Sequence, residues 1–77
     1  MSPKIDPRVL RLARRIGKQI KAARIDAGLS QESVAKAIGM SRTNYARIEY
    51  GLTNVTIESL LRIADGLGVK LTVALGR

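Results

Sequence analysis

Apolar residues recur at helical spacing along most of the chain and predict four helices with short polar breaks between them. The first helix begins at Asp6-Pro7, because Asp6 can cap free N–H groups and proline suits the first helical position. It ends at Gly28, and its predicted inward positions are Val9, Leu12, Ala13, Ile16, Ile20, Ala23 and Ala27. Gly17 inside this helix costs about 1 kcal/mol relative to alanine. A break there, leaving a loose basic arm, is therefore an alternative.

Three shorter helices follow, each with a hydroxyl side chain at its start and a glycine near its end. We expect the Tyr45 hydroxyl to reach a backbone partner. The fold class is all-α, in a single domain over residues 1–77 with a basic N-terminal extension (1–15), a core (16–68) and a tail (69–77). The predicted caps are Ser30, Ser41 and Thr56, and the predicted inward residues are Val34, Ala35, Ile38, Tyr45, Ile48, Ile57, Leu60, Leu61, Ala64 and Leu67.

The tail changes to a period of two, which predicts a β-strand over residues 69–75. A lone strand must pair its N–H and C=O groups outside an otherwise helical chain. The simplest partner is the same strand of a second copy across a two-fold axis. A short fifth helix and an apolar tail packed on the core are the alternatives. The residues of this predicted dimer interface are Val69, Leu71, Val73 and Leu75.

Residues 30–49 form two capped short helices joined by a tight turn at Gly39, a pattern typical of a helix-turn-helix. Its second helix enters the DNA major groove. Arginine can donate two hydrogen bonds to guanine O6 and N7, and threonine or alanine can contact a thymine methyl. A phosphate contact or a solvated charge is the alternative for each arginine. The outward residues of this helix, which we predict to contact bases, are Arg42, Thr43, Ala46 and Arg47.

The ordered motifs of this chain resemble the Xre/Cro-type helix-turn-helix family over about residues 16–69. They are GLSQ at 28–31, Val34-Ala35, Gly39, Ser41-Arg42, Ile48-Glu49 and Gly51, followed by residues 56–64 and 67–69. The resemblance implies a lambda repressor-like domain of four to five helices.

Several residue roles follow from this resemblance. It implies that Gln31 contacts the DNA backbone and braces the recognition helix, and that Arg24 and Glu49 form a structural ion pair. The free N–H groups at the start of the second helix also suit a phosphate beside Gln31. Further predicted backbone contacts are Ser41, Asn44, Thr53 and Asn54.

Charge supports a polyanionic partner, since 14 lysines and arginines stand against 6 acidic residues, for a net charge of +8. The excess is concentrated before Ile25. We predict additional DNA-backbone contacts there, with a solvated helix face as the alternative. A helix lying on a membrane surface is another, but it explains nothing after Ile25. These predicted contacts are Arg8, Arg11, Arg15 and Lys18.

The chain has no histidine and no cysteine, which excludes disulfides, thiolate nucleophiles and the common zinc sites. We therefore predict no enzyme activity, cofactor, metal or membrane partner. The predicted function is a sequence-specific DNA-binding transcriptional regulator, a cytoplasmic homodimeric repressor of an inverted-repeat operator in double-stranded DNA. Two alternatives stay open: the antitoxin of a toxin–antitoxin pair, with a protein toxin as partner, and the controller protein of a restriction–modification system.

Overall fold

The computed structural model describes residues 5–76 as four α-helices joined by short loops. Helix α1 spans Pro7–Asp26, α2 Gln31–Ala37, α3 Arg42–Glu49 and α4 Ile57–Leu67. Residues 1–4 of the predicted N-terminal extension, and residue 77, lie outside the described residues. Within residues 5–76 there is no strand, and no helix has the length and apolar character needed to cross a bilayer. The predicted all-α class is confirmed.

Each helix begins at the cap that the sequence predicts. The Asp6 carboxylate accepts a hydrogen bond from the N–H of Arg8 at 2.8 Å. The hydroxyls of Ser30, Ser41 and Thr56 each accept from the N–H three residues later, at 3.0, 3.1 and 3.0 Å. Such caps are typically worth about 1 kcal/mol each. Helix α1 runs through Gly17 without interruption, so the alternative of a break there is wrong and residues 7–15 are helical.

Side chains from all four helices meet in one core. Tyr45 lies at its centre, with no exposed surface, and Ile16, Ala23, Leu29 and Leu60 pack against its edge. Because α3 contributes side chains that other helices surround, apolar packing holds α3 against α1 and α2. The buried members are Ile20, Val34, Ala35, Ile38, Tyr45, Ile48, Ile63 and Leu67.

The predicted inward face is wrong at several positions of α1 and α4. Ile57 is 71% exposed and Leu61 48%, whereas Ile63, which we did not assign to the core, is 1% exposed. Large apolar residues are so dense in α4 that two adjacent faces fit the helical repeat, and packing against α1 and α2 selects the one centred on Ile63. In α1, Leu12 and Ala27 are exposed as well.

Helix α1 crosses the end of α3 at very short range. A Cβ atom placed on Gly17 would lie 2.2 Å from the backbone oxygen of Glu49 and 2.8 Å from that of Ile48. Gly17 is therefore required for the contact between the two backbones, although glycine weakens a helix interior. This close approach brings the second half of α1 directly against the end of α3.

The predicted strand at residues 69–75 is not formed within the single chain, and neither is the alternative fifth helix. Residues 69–76 have no regular secondary structure, since no neighbouring strand of the same chain is available to pair with them. The Val69 N–H donates to the Ala64 carbonyl at 3.0 Å and closes α4. Leu71 is half-buried, but Val73 and Leu75 are 81% and 97% exposed. Pairing of this segment with a second copy stays a prediction.

Gly17→Ala should lower the melting temperature, in contrast to what helix propensity alone predicts. Propensity favours alanine by about 1 kcal/mol, but the added methyl forces α1 and α3 apart, and overpacking of this kind costs about 1–3 kcal/mol. Thermal unfolding followed by circular dichroism measures the difference. Gly76→Ala, where an added Cβ meets nothing within 4 Å, is the control. A Gly17→Ala protein that melts higher than the wild type would contradict the close contact.

Candidate nucleic-acid interface

Helices α2 and α3 are joined by a tight turn that places the outer face of α3 at the surface. Gly39 in this turn has a φ of +67°, a conformation that L side chains rarely adopt. The N–H of Met40 donates to the Ala35 carbonyl at 2.9 Å. Ala35 is 2% exposed, so a small side chain lies where the two helices come together. The arrangement is that of a helix-turn-helix.

A buried ion pair holds α3 against α1. The Arg24 Nη2 lies 2.7 Å from the Glu49 Oε1, and Nε donates to Oε2 at 3.0 Å, so the guanidinium and carboxylate pair through two parallel bonds. The Glu49 side chain is fully buried and that of Arg24 is 13% exposed. Bidentate pairing of this type fixes direction as well as distance.

Two further hydrogen bonds extend the pair to the rest of the motif. Arg24 Nη1 donates to the Leu29 carbonyl at 2.9 Å, which ties down the loop before α2. Gln31 Nε2 donates to Glu49 Oε1 at 3.3 Å, which links the first residue of α2 to the last residue of α3. We call these four residues, Arg24, Leu29, Gln31 and Glu49, the anchor network. It connects α1, the loop, α2 and α3.

The outer face of α3 carries the residues that sequence analysis predicts to contact bases. Arg42, Thr43 and Arg47 are exposed, and Ala46 is half-buried. A concavity lies on each side of this face. One is shared by Lys21, Gln31, Arg42 and Tyr50. The other brings together Asn44, Arg47, Thr53 and Asn54.

Comparison with known proteins agrees with this geometry. The model of the helix-turn-helix family HTH_3 matches residues 20–73. The chain belongs to the helix-turn-helix family. It is a DNA-binding regulator of the Xre and lambda repressor-like type.

Several relatives within this helix-turn-helix family are control proteins. Control protein C.MunI from a Mycoplasma species is 42% identical over 59 residues, which are 75% of this chain and 80% of that protein. The restriction-modification controller protein C.AhdI from Aeromonas hydrophila is 29% identical, with a TM-score of 0.73 over 75% of this chain and 88% of that one. The C.Esp1396I controller tetramer, solved with its natural 35 base-pair operator, is 36% identical, with a TM-score of 0.73 over 77% and 78% of the chains.

Four of the five predicted backbone contacts of the helix-turn-helix fall into two groups, and Ser41, which caps α3, lines neither concavity. Asn44, Thr53 and Asn54 lie together with Arg47 on one flank of α3, and Gln31 lies on the other. The structure does not bring the four basic residues predicted in α1 to either concavity. Ala13, Gly17 and Ile20 face the core, so residues about half a turn away project from the far side of α1. Those exposed residues are Arg11, Arg15 and Lys18.

Arg8, the fourth of these residues, is paired within its own helix end. Its guanidinium donates to both carboxylate oxygens of Asp6, with 2.7 Å between Nη2 and Oδ2. Hydrogen bonds from the Arg8 side chain and backbone lower the pKa of Asp6. Both side chains are exposed, so this pair contributes little to stability. It does neutralise the charge of Arg8 locally.

Sequence reasoning missed two exposed residues of the interface, Lys21 and Tyr50. Both line the concavity that contains Gln31 and Arg42. Helical spacing could have indicated both residues. Lys21 is three residues before Arg24, and Tyr50 is seven residues after Thr43. Such spacing places each of them on the same side of its helix as the named residue. Using that signal requires knowing how α1 lies across α3.

The hydrogen bonding of the Tyr45 hydroxyl differs from the prediction. The ring is completely buried, as expected, but the hydroxyl has no hydrogen-bond partner of acceptable geometry among residues 5–76. The predicted backbone partner is therefore wrong. Burial first, and then the nearby Glu49 carboxylate, raise the pKa of Tyr45 well above its ordinary value. The hydroxyl consequently stays neutral beside the anchor network.

The anchor network keeps Glu49 ionised in the protein interior. Burial raises the pKa of Glu49, but the hydrogen bonds from Arg24 and Gln31, together with the charge of Arg24, outweigh it. The folded-state pKa of Glu49 therefore lies below the ordinary 4.5. A lowered pKa means that the carboxylate contributes stability above pH 4.5 and loses it as the pH falls through the folded-state value.

Glu49→Gln should destabilise the fold at neutral pH, because it leaves the Arg24 guanidinium without its counter-charge. Removing one partner of a buried pair costs about 3–5 kcal/mol. The difference in unfolding free energy between variant and wild type should hold from pH 7 to about pH 5 and shrink below pH 4.5, as wild-type Glu49 takes up a proton. Denaturant titrations across this range measure it.

Asp26→Asn, which changes an exposed carboxylate of α1, is the matched control and should have little effect at any pH. The same destabilisation at pH 3 as at pH 7, or none at pH 7, would show that the Glu49 charge does not hold α3 in place.

Proposed function

We propose that this chain is the controller protein of a restriction–modification system, acting in the cytoplasm as a homodimer on an inverted-repeat operator. The observation that carries the proposal is the outer face of α3. It presents two exposed arginines, each of which lines one of the two flanking concavities, and the buried anchor network holds it in one orientation. Of the alternatives that the sequence leaves open, the controller protein is the one to which the relatives correspond.

Base readout is assigned to α3 in this proposal. Arg42 lies in the first turn, the part of a recognition helix that meets base edges. Arg42 and Arg47 each donate two hydrogen bonds to a guanine, and Thr43 and Ala46 contact thymine methyl groups. The half-buried position of Ala46 between exposed neighbours fits a close approach of the groove floor.

Phosphate contacts flank this readout and fix the register of α3 on the duplex. Gln31 approaches one strand beside Lys21 and Tyr50, and Asn44, Thr53 and Asn54 approach the other. The Ser41 hydroxyl accepts from the Asn44 N–H in its capping role, which leaves its own proton free to donate to a phosphate. Gln31 then has two roles, because its amide also donates to Glu49.

The C-terminal segment supplies the dimer contact. Residues 69–73 form one wall of an apolar cleft of about 340 Å³, whose other walls belong to α1 and α4. Leu61, Val73 and Leu75 remain exposed. No backbone group of residues 70–76 is hydrogen-bonded to another backbone group within residues 5–76, so all are available to a partner strand. A second copy covers both the apolar side chains and these groups.

Replacing Val73 and Leu75 by serine should weaken dimerisation while leaving the fold intact, because both side chains are exposed in the single chain. Sedimentation equilibrium should show a shift towards monomer, with an unchanged helical circular dichroism spectrum. Ile5→Ser, at an exposed apolar residue before α1, is the control and should stay dimeric. If the double variant dimerises as tightly as the wild type, the dimer contact lies elsewhere.

Selection of bound duplexes from random DNA tests the function directly. The wild type should recover an inverted repeat whose half-site centres are about 34 Å apart, one DNA turn. Arg42→Ala should lose preference at one base pair of each half-site, because a bidentate arginine contact is worth about 1–3 kcal/mol of discrimination. Lys36→Ala, an exposed charge on α2, is the control and should recover the wild-type sequence.

Two results would count against this function. If the wild type recovers no common sequence, the proposal that the protein is a sequence-specific regulator is wrong. If Arg42→Ala recovers the same repeat with the same base preferences as the wild type, Arg42 on α3 does not read bases.

A further inference from the structure

Five basic residues form a continuous stripe along α1. At 3.6 residues per turn they occupy about a third of the helix circumference, from Lys21 beside the core-packing face round to Arg11 and Arg15 on the opposite side. All five are exposed, and there is no acidic residue between Pro7 and Ile25. Arg8 is not part of the stripe, since Asp6 pairs with it. We call Arg11, Arg14, Arg15, Lys18 and Lys21 the basic ridge.

The basic ridge opposes the stability of the helix that carries it. Arg11 and Arg15, and Arg14 and Lys18, are pairs four residues apart, at which like charges repel. No member forms an ion pair within the part of the chain that the structure describes. An anion bound along this side would relieve the repulsion.

The basic ridge begins at the proposed DNA interface and runs away from it. Lys21 lines the same concavity as Gln31 and Arg42. Arg14 lies against the turn after α3, where a Cβ placed on Gly51 would be 2.4 Å from the Arg14 Cα. From Lys21 to Arg11 the helix rises about 15 Å, at 1.5 Å per residue. Only Lys21 of the basic ridge lines that concavity, so the other four basic residues lie outside it.

We propose that the basic ridge binds phosphates of the same DNA duplex outside the half-site read by α3. The inference rests on the proposed function, since α3 places the duplex beside Lys21. Lys21, Arg14 and Lys18 meet the backbone first. Arg11 and Arg15 project from the side of α1 away from the core, so the flanking DNA curves towards α1 to reach them. Charge complementarity over this length matches a regularly spaced row of phosphates.

Two duplexes and one double variant test this proposal. The short duplex ends at the selected inverted repeat, and the long one adds about ten base pairs, one helical turn, of unrelated sequence on each side. The wild type should bind the long duplex more tightly, and Arg11→Gln with Arg15→Gln should lose that gain while binding the short duplex as before. On the long duplex, the slope of log affinity against log salt should be shallower for the double variant than for the wild type. The difference should be about 1.8 per subunit, at about 0.9 for each of two lost phosphate contacts.

Lys36→Glu changes the net charge by the same two units at another exposed position and should keep the gain from the flanks. The ridge variant should melt no lower than the wild type, because it relieves a like-charge pair. Equal wild-type affinity for both duplexes overturns the proposal, as does an equal loss by the ridge variant and by Lys36→Glu. Failure of the proposed function would give a different result from failure of this proposal. The wild type would then show no sequence preference on the short duplex.

Discussion

The buried pair of Arg24 and Glu49 is the interaction on which the rest of the structure depends. Glu49 is the last residue of α3 and has no exposed side-chain surface. A charge in that position is stable only with a partner of good geometry, and Arg24 supplies it through two parallel hydrogen bonds. The direction of α3 relative to α1 is therefore set by a bidentate contact. Apolar packing alone tolerates more variation in angle.

Two neighbouring features serve this pair. Gly17 lets the backbones of α1 and α3 meet at Ile48 and Glu49. Gln31 then connects Glu49 to the start of α2. As a result, the residues proposed to contact phosphate and those proposed to contact bases are held by one network. This arrangement lets a chain of 77 residues, whose small core supplies limited stability, present a recognition helix in a defined orientation.

The sequence predicts the parts of this fold that depend on local chemistry. Ser30, Ser41 and Thr56 cap the helices as expected, because a side-chain oxygen and a nearby N–H suffice. The predicted inward face of α4 is wrong, because its apolar residues satisfy two faces and only packing on other helices selects Ile63. Alternation in the tail predicts a strand, but a strand needs a partner that one chain does not contain.

In the candidate site, too, some features follow from local sequence and others depend on how the helices pack. The outward residues of α3 follow from its own period, whereas Lys21 and Tyr50 join the surface only through the way α1 and α3 cross. The central claim, that α3 and its two flanks form the DNA-binding surface, is tested most directly by mapping amide chemical shifts during titration with the selected operator. We expect the largest changes at Gln31, Arg42, Thr43, Ala46, Arg47 and Asn54. Changes confined to the apolar cleft between α1 and α4, with α3 unaffected, would contradict it.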